Sequence, residues 1–172
     1  MSTSAPPRLV DPFLAELQAE APATRRVLER VPGDRLAWKP HVKSRSVGEL
    51  SAHVARVPQA ISGFLAGESF DVLAGRPPLP PIESVDALLS TFEASVAAAR
   101  SFLQGLDDAR ARETWRLVAG AKEVFAGPRL SALRALLFNH WYHHRGQLTV
   151  YLRLLDIPVP VVYGATADET PV

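Results

Sequence analysis

The sequence predicts an all-α protein, a four-helix bundle with long connections, and three observations predict it. Apolar residues recur at alternating three- and four-residue steps in four separate segments, which places them on one face of a 3.6-residue helix. Capping side chains or prolines stand where those segments begin. Proline- and glycine-rich stretches separate them. With 172 residues, the chain is long enough to bury a full core in one domain, 1–172.

Asp11 followed by Pro12 starts the first helix, Asp as an acceptor for unpaired amides and Pro as a residue with no amide to leave unpaired. Phe13, Leu14, Leu17, Ala21, Val27 and Leu28 form its apolar face up to about Arg30, Pro22 is expected to bend it, and Val31-Pro32-Gly33-Asp34 stops it. A loop over 36–45 carries Trp38, Pro40 and His41. Ser46 and Glu49 then form a capping box for a second helix over 47–66. Its stripe is Leu50, His53, Val54, Val57, Ile61 and Phe64. Pro58 removes the hydrogen bond that the Val54 carbonyl would accept, so a kink just past His53 is expected.

Four prolines within 75–81 make that stretch a connecting loop. Ser84 caps a third helix over 85–106, with Leu88, Leu89, Phe92, Val96, Ala99, Phe102 and Leu103 on one face. Within 111–127, two β-prone runs flank Ala119-Gly120-Ala121-Lys122, and a short hairpin is expected near 114–125. Pro128 opens a fourth helix whose stripe is Leu130, Leu133, Leu137, His140, His144, Leu148, Tyr151 and Leu155, and which ends near Asp156. The tail over 157–172 is expected to be irregular and to lie along the bundle.

Composition narrows the function. A net charge of +1 leaves no field to recruit nucleic acid or an anionic membrane. The 16 arginines against three lysines are scattered without interleaved aromatics, a pattern of base composition more than of phosphate recognition. Cysteine is absent, which excludes disulfides, thiolate ligands and cysteine nucleophiles. Any metal site must then use His, Asp or Glu. The first nine residues lack the pattern of a secretory signal and no apolar run approaches the ~18 residues of a membrane span, so a cytoplasmic protein is expected.

Three of the five histidines fall on helix stripes. His140 and His144 are spaced i,i+4, so their rings point to one side and can chelate one ion. Two partnerless imidazoles in a leucine stripe would be costly, and an ion resolves that cost. His53 is the remaining histidine on a core stripe and can supply a third ligand from a facing helix. The same spacing also fits core histidines satisfied by backbone or tyrosine partners. His143 lies on the flank of the stripe, where an i,i+3 pairing with His140 is a second geometry, and His41 is in a loop. Glu49 stands one turn before His53, but its capping box accounts for it. Gln147, Tyr142 and Tyr151 lie near the histidine pair on the helical wheel. Neutral imidazoles suit Zn, Ni, Cu or Fe, whereas Mg and Ca prefer oxygen.

The segment Asn139-His140-Trp141-Tyr142-His143-His144-Arg145-Gly146-Gln147-Leu148, continued through Arg153, resembles the DinB/YfiT-like family of bacterial proteins. The likeness extends back to Trp38-Lys39-Pro40-His41 and to Ser46 through His53. It extends forward to Pro158-Val159-Pro160, Tyr163-Gly164 and Ala167-Asp168-Glu169. This is the damage-inducible metalloprotein family, unrelated to the translesion polymerase that shares its name. The resemblance implies a four-helix bundle with an unusual long-connection helix order, a stress-related role, a divalent metal that is often nickel or zinc, and frequent homodimers. The family's three ligands carry over to His53, His140 and His144. Relatives with known activity resemble thiol transferases that use low-molecular-weight bacterial thiols, or thiol-dependent isomerases.

Two functions follow as expectations. Three protein ligands leave a coordination position open, which suits a metal-dependent thiol S-transferase or hydrolase acting on a small molecule. The alternative is a non-catalytic, stress-related metal-binding module whose ion braces the bundle or a dimer. No nucleophilic serine motif, paired-carboxylate site or phosphate loop is visible, so no catalytic side chain is assigned. An open pocket at the fourth position separates the first reading from the second.

Overall fold

A computed structural model describes residues 6–75 and 78–170. The first five residues of the N-terminal stretch, Arg76 and Pro77 of the 75–81 loop and the last two residues of the tail lie outside them. Helix α1 (Asp11–Glu29) starts one residue after Val10, whose carbonyl accepts the Leu14 N–H at 3.0 Å. The expected Asp11 cap is corrected here. Asp11 is already the first helical residue, so its carboxylate turns back and accepts the Arg8 backbone N–H at 2.7 Å and Arg8 Nε at 3.0 Å. The helix runs unbroken through Pro22.

A single 3-10 turn at Gly33–Arg35 precedes α2 (Val47–Ala66), which carries the expected capping box. Ser46 Oγ accepts the Glu49 N–H at 3.1 Å, and Glu49 Oε2 accepts the Ser46 N–H at 2.6 Å. Helix α2 also runs unbroken through its proline. The carbonyl that Pro58 leaves free, that of Val54, accepts Trp141 Nε1–H at 3.0 Å, and the Gln59 N–H donates to Ser95 Oγ at 2.9 Å. Partners on neighbouring helices thus satisfy the groups around Pro58 that the interior would otherwise penalise.

The all-α expectation is corrected: the fold is mostly helical with a small three-stranded sheet. The hairpin forms as β2 (Thr114–Ala119) and β3 (Lys122–Pro128), antiparallel, with Gly120 at φ 61° in its two-residue turn. Glycine meets that left-handed conformation without a Cβ penalty. A third strand, β1 (Ser69–Asp71), pairs parallel to β2, Phe70 opposite Leu117. Three residues are too few to show a period of two, and their partner is more than 40 positions away, so local sequence does not announce β1. Buried Trp115 donates Nε1–H to the Phe64 carbonyl at 3.2 Å, and the Phe64 and Phe70 rings stack at 4.0 Å, which seats the sheet on the end of α2.

Helix α3 (Val85–Gly105) follows its Ser84 cap, and the short α4 (Asp108–Arg112) is capped by Asp107. The last helical stretch is α5 (Arg129–Ala132), a π-helical segment (Leu133–Asn139) and α6 (His140–Leu154), without a break. Helix α1 packs on α3 and α6, and α2 packs on the same two. The two helices that follow one another in sequence therefore share neighbours, which is why the connections are long. The tail has no regular structure and is tied to the helices by ion pairs of Glu169 with Arg30 at 2.7 Å and of Asp168 with Arg153. Among the described residues, no helix is long and apolar enough to cross a membrane.

Candidate metal centre

The π segment decides where the histidines point. A π turn holds an extra residue, so the buried face steps forward by one position after it. Before the step the buried residues are Leu133, Leu137 and Phe138; after it they are Trp141, Arg145, Leu148 and Leu152. The expectation that His140 and His144 lie at the centre of the buried stripe is corrected accordingly. They sit at its edge, half-buried, and His53 on α2 is half-buried opposite them.

The three rings nevertheless come together, each offering a nitrogen within 4.8 Å of the others. His53 Nε2 and His140 Nε2 are 3.0 Å apart, and the His144 ring lies 4.4 Å from that of His53 and 4.6 Å from that of His140, centre to centre. Two imidazole nitrogens on one ion at ~2.0–2.1 Å lie roughly 3.0–3.4 Å apart for coordination angles between a right angle and a tetrahedral one. The observed separation fits. Among the described residues no carboxylate or further histidine joins the group, so the donor set is three imidazoles.

Electrostatics holds these rings neutral. Burial pushes the His53 pKa down to about 3, and Arg45 and the other two histidines add to the shift. Burial and the charge of neighbouring His144 and Arg45 lower His140, against a contact with the Leu136 carbonyl that acts the other way. Burial also lowers His144, with Arg45 contributing and a hydrogen bond to Gln147 opposing. That bond, His144 Nδ1 to Gln147 Oε1 at 2.8 Å, places the ring proton on Nδ1 and leaves the Nε2 lone pair free. Neutral imidazoles, each with a nitrogen lone pair to offer, are what a transition metal requires.

The site opens into a cleft of about 800 Å³ that His53 and His140 line together with Arg45, Arg56, Val57 and Phe64. The remaining candidates lie elsewhere. His41 is exposed, its Nδ1 accepting the Lys43 N–H at 3.1 Å, and exposed His143 stacks edge-on against His144 at 4.9 Å. Glu49 is held by Ser46 and, at 3.5 Å, by Lys39. Tyr142 donates to Glu16 at 2.6 Å, with burial raising its pKa, and Tyr151 packs edge-on against Trp38. Of Gln147, Tyr142 and Tyr151, Gln147 is the one that hydrogen-bonds a ring of the site.

Sequence reasoning missed Arg45 and Arg56 at the cleft, and it missed Arg145, which is 2% exposed and pairs with Glu20 at 2.6 Å and Thr24 Oγ1 at 2.9 Å. Arg56 follows His53 by three residues, a helical spacing that could have linked them. Arg45 carried no such signal.

Comparison with known proteins agrees with this fold. The Bacillus subtilis (strain 168) protein named "Uncharacterized protein YrdA" is 24% identical over 163 residues, covering 93% of this chain and 91% of that one. The crystal structure of a DinB-like protein from Bacillus cereus ATCC 10987 superposes with a TM-score of 0.67 at 22% identity, over 88% of this chain and 95% of the other. That of the DinB-like protein YjoA from Bacillus subtilis gives 0.68 at 15% identity, over 88% and 97%. The family model described as DinB family matches residues 1–170, and the chain belongs to the DinB family.

Proposed function

We propose that His53, His140 and His144 hold one divalent transition-metal ion, zinc or nickel, and that the chain is a metal-dependent enzyme acting on a small molecule. Transfer of a low-molecular-weight thiol is the leading reaction, with hydrolysis the second. The observation that carries this is the convergence of three neutral imidazoles at the end of an open cleft, with no fourth protein ligand among the described residues. Such an ion, when bound, supplies Lewis acidity that lowers the pKa of a water or thiol beside it. The chain's own part is positioning. Gln147 sets the His144 tautomer, and Trp141 pins α6 to α2 through the Val54 carbonyl, one residue from His53. The thiol rests on the family resemblance, and the absence of cysteine means that a thiol must arrive with a cosubstrate.

An ion that only braces α2 against α6 is the competing reading; the cleft at His53 and His140 favours catalysis over it. Elemental analysis of protein purified without a histidine tag should find one zinc or nickel per chain, and a metal-free, fully folded protein that takes up neither ion would refute the site. A screen of monothiols with an electrophilic substrate should then show turnover that chelation abolishes and the ion restores. A bound ion that raises the melting temperature without supporting any turnover would assign it to bracing. We further propose a homodimer, supported by the resemblance and by exposed Val150 and Leu154 one turn apart on α6. Light scattering at micromolar concentration should give twice the 18.7 kDa chain mass, and a monomer mass removes this proposal without touching the metal site.

A further inference from the structure

The cleft carries a charge imbalance. Arg45 lines it together with His53 and His140, and its guanidinium has no carboxylate or hydrogen-bond partner among the described residues. The acid that shares the cleft, Glu49, is already engaged by the Ser46 N–H at 2.6 Å and by Lys39 at 3.5 Å. Arg56, further along the same wall, donates to the Pro80 carbonyl at 2.6 Å and likewise has no acid beside it. Beyond these two arginines the wall is apolar, built from Val57, Ala60, Ile61 and Phe64.

Two permanent cations facing one cavity repel each other and disfavour a further positive charge. Three imidazoles add no negative charge of their own, so a dication held there would keep its full charge beside Arg45. An anion in the cleft relieves both conflicts, and guanidinium is the side chain best shaped to take an acid group through two parallel hydrogen bonds. The capping box fixes the backbone at Ser46, the residue after Arg45, so the guanidinium hangs from a rigid point.

We propose that the cleft binds a small organic acid, its carboxylate paired with Arg45 beside the histidines and its apolar body along Val57, Ile61 and Phe64. This rests on the proposed function in making the cleft the substrate site, but the Arg45 contact does not require the ion.

The test uses full-length protein, metal-free and metal-loaded, titrated calorimetrically with 4-phenylbutyrate and with its neutral amide. The acid should bind at least about tenfold more tightly than the amide in both forms, the scale of a charge-assisted pair. Arg45→Gln should reduce the acid to the level of the amide, and Arg45→Lys should restore only part of the preference. Arg45 is exposed, so circular dichroism should show these variants folded. Equal binding of acid and amide, or an unchanged preference in Arg45→Gln, overturns the proposal. A preference seen only with metal present, and surviving Arg45→Gln, assigns the acid to the ion and also overturns it. Failure of the metal reading looks different, because the protein would then take up no ion while the metal-free preference persisted.

Discussion

At the residue scale, the roles of the five histidines separate by position rather than by type. His53→Ala, His140→Ala and His144→Ala should each abolish metal retention through purification, because two imidazoles do not hold an ion as three do. His41→Ala should retain full occupancy, its ring being exposed in a loop and bonded to Lys43. Gln147→Leu should weaken affinity ~10–100-fold by releasing the His144 tautomer, and His143→Ala should have a smaller effect. Metal stoichiometry and competitive titration read all of these, and full occupancy in His53→Ala would remove it from the ligand set. The neutral state of the rings also fixes a pH dependence. A histidine whose folded pKa lies below its unfolded value of ~6.5 takes a proton more readily in the unfolded chain, so protonation favours unfolding. Stability of the metal-free protein is therefore full above ~6.5 and declines as pH falls toward the His53 value of about 3. Melting temperatures at pH 7.5 and 5 test this in a window where carboxylates stay ionised. Equal values would mean that the rings are not held neutral.

At the scale of elements, the contact between α2 and α6 depends on a proline and an indole acting together. Pro58 frees the Val54 carbonyl, and Trp141 occupies it at 3.0 Å in the buried interface. Trp141→Phe should cost about 1–3 kcal/mol for the carbonyl left unsatisfied, in addition to a small packing loss. In a Pro58→Ala background the new Ala N–H can take that carbonyl, so the same change should cost less. A double-mutant cycle by denaturant unfolding measures the difference, and additive effects would show that the two groups do not compete for Val54. Because this bond lies next to His53, Trp141→Phe should also weaken metal affinity while leaving every ligand in place.

At the scale of the whole molecule, a buried ion pair joins α1, α6 and the tail. Arg145 is 2% exposed and reaches Glu20 and Thr24 on α1, and it also bonds the Tyr163 hydroxyl of the tail. Glu20→Ala leaves a buried guanidinium without its counter-charge and should destabilise the fold by about 3 kcal/mol, since removing one member of such a pair typically costs ~3–5 and Thr24 remains as a partner. Arg145→Met with Glu20→Leu should recover most of that loss. Tyr163→Phe removes two hydrogen bonds, one accepted from Arg145 and one donated to Glu20 at 3.1 Å, and should cost about 1–2 kcal/mol. Urea unfolding of the set distinguishes a pair that matters through its burial from one that contributes little, in which case Glu20→Ala would unfold like the wild type.

Local physics made much of this protein legible in advance. The capping box at Ser46 and Glu49, the Ser84 cap, the breaker at Val31-Pro32-Gly33-Asp34 and the hairpin turn at Gly120 all act within a few residues, and each is where the sequence put it. The i,i+4 spacing of His140 and His144 and the stripe position of His53 likewise brought forward the three rings that converge. What tertiary structure alone decided depends on partners distant in the chain. Strand β1 exists because β2 lies beside it, and Trp141 is buried because Pro58 leaves a carbonyl for it. Arg145, to which the helical spacing assigned no role, is buried because Glu20 on α1 compensates its charge and Thr24 accepts one of its hydrogen bonds. The π segment is the sharpest case. A strict 3.6-residue count carries the buried face straight through His140 and His144, whereas one extra residue per turn swings them to the edge of the core. That shift sets His140 on the wall of the cleft, with His144 beside it, instead of deep among the leucines, because packing over the entire helix chose the register.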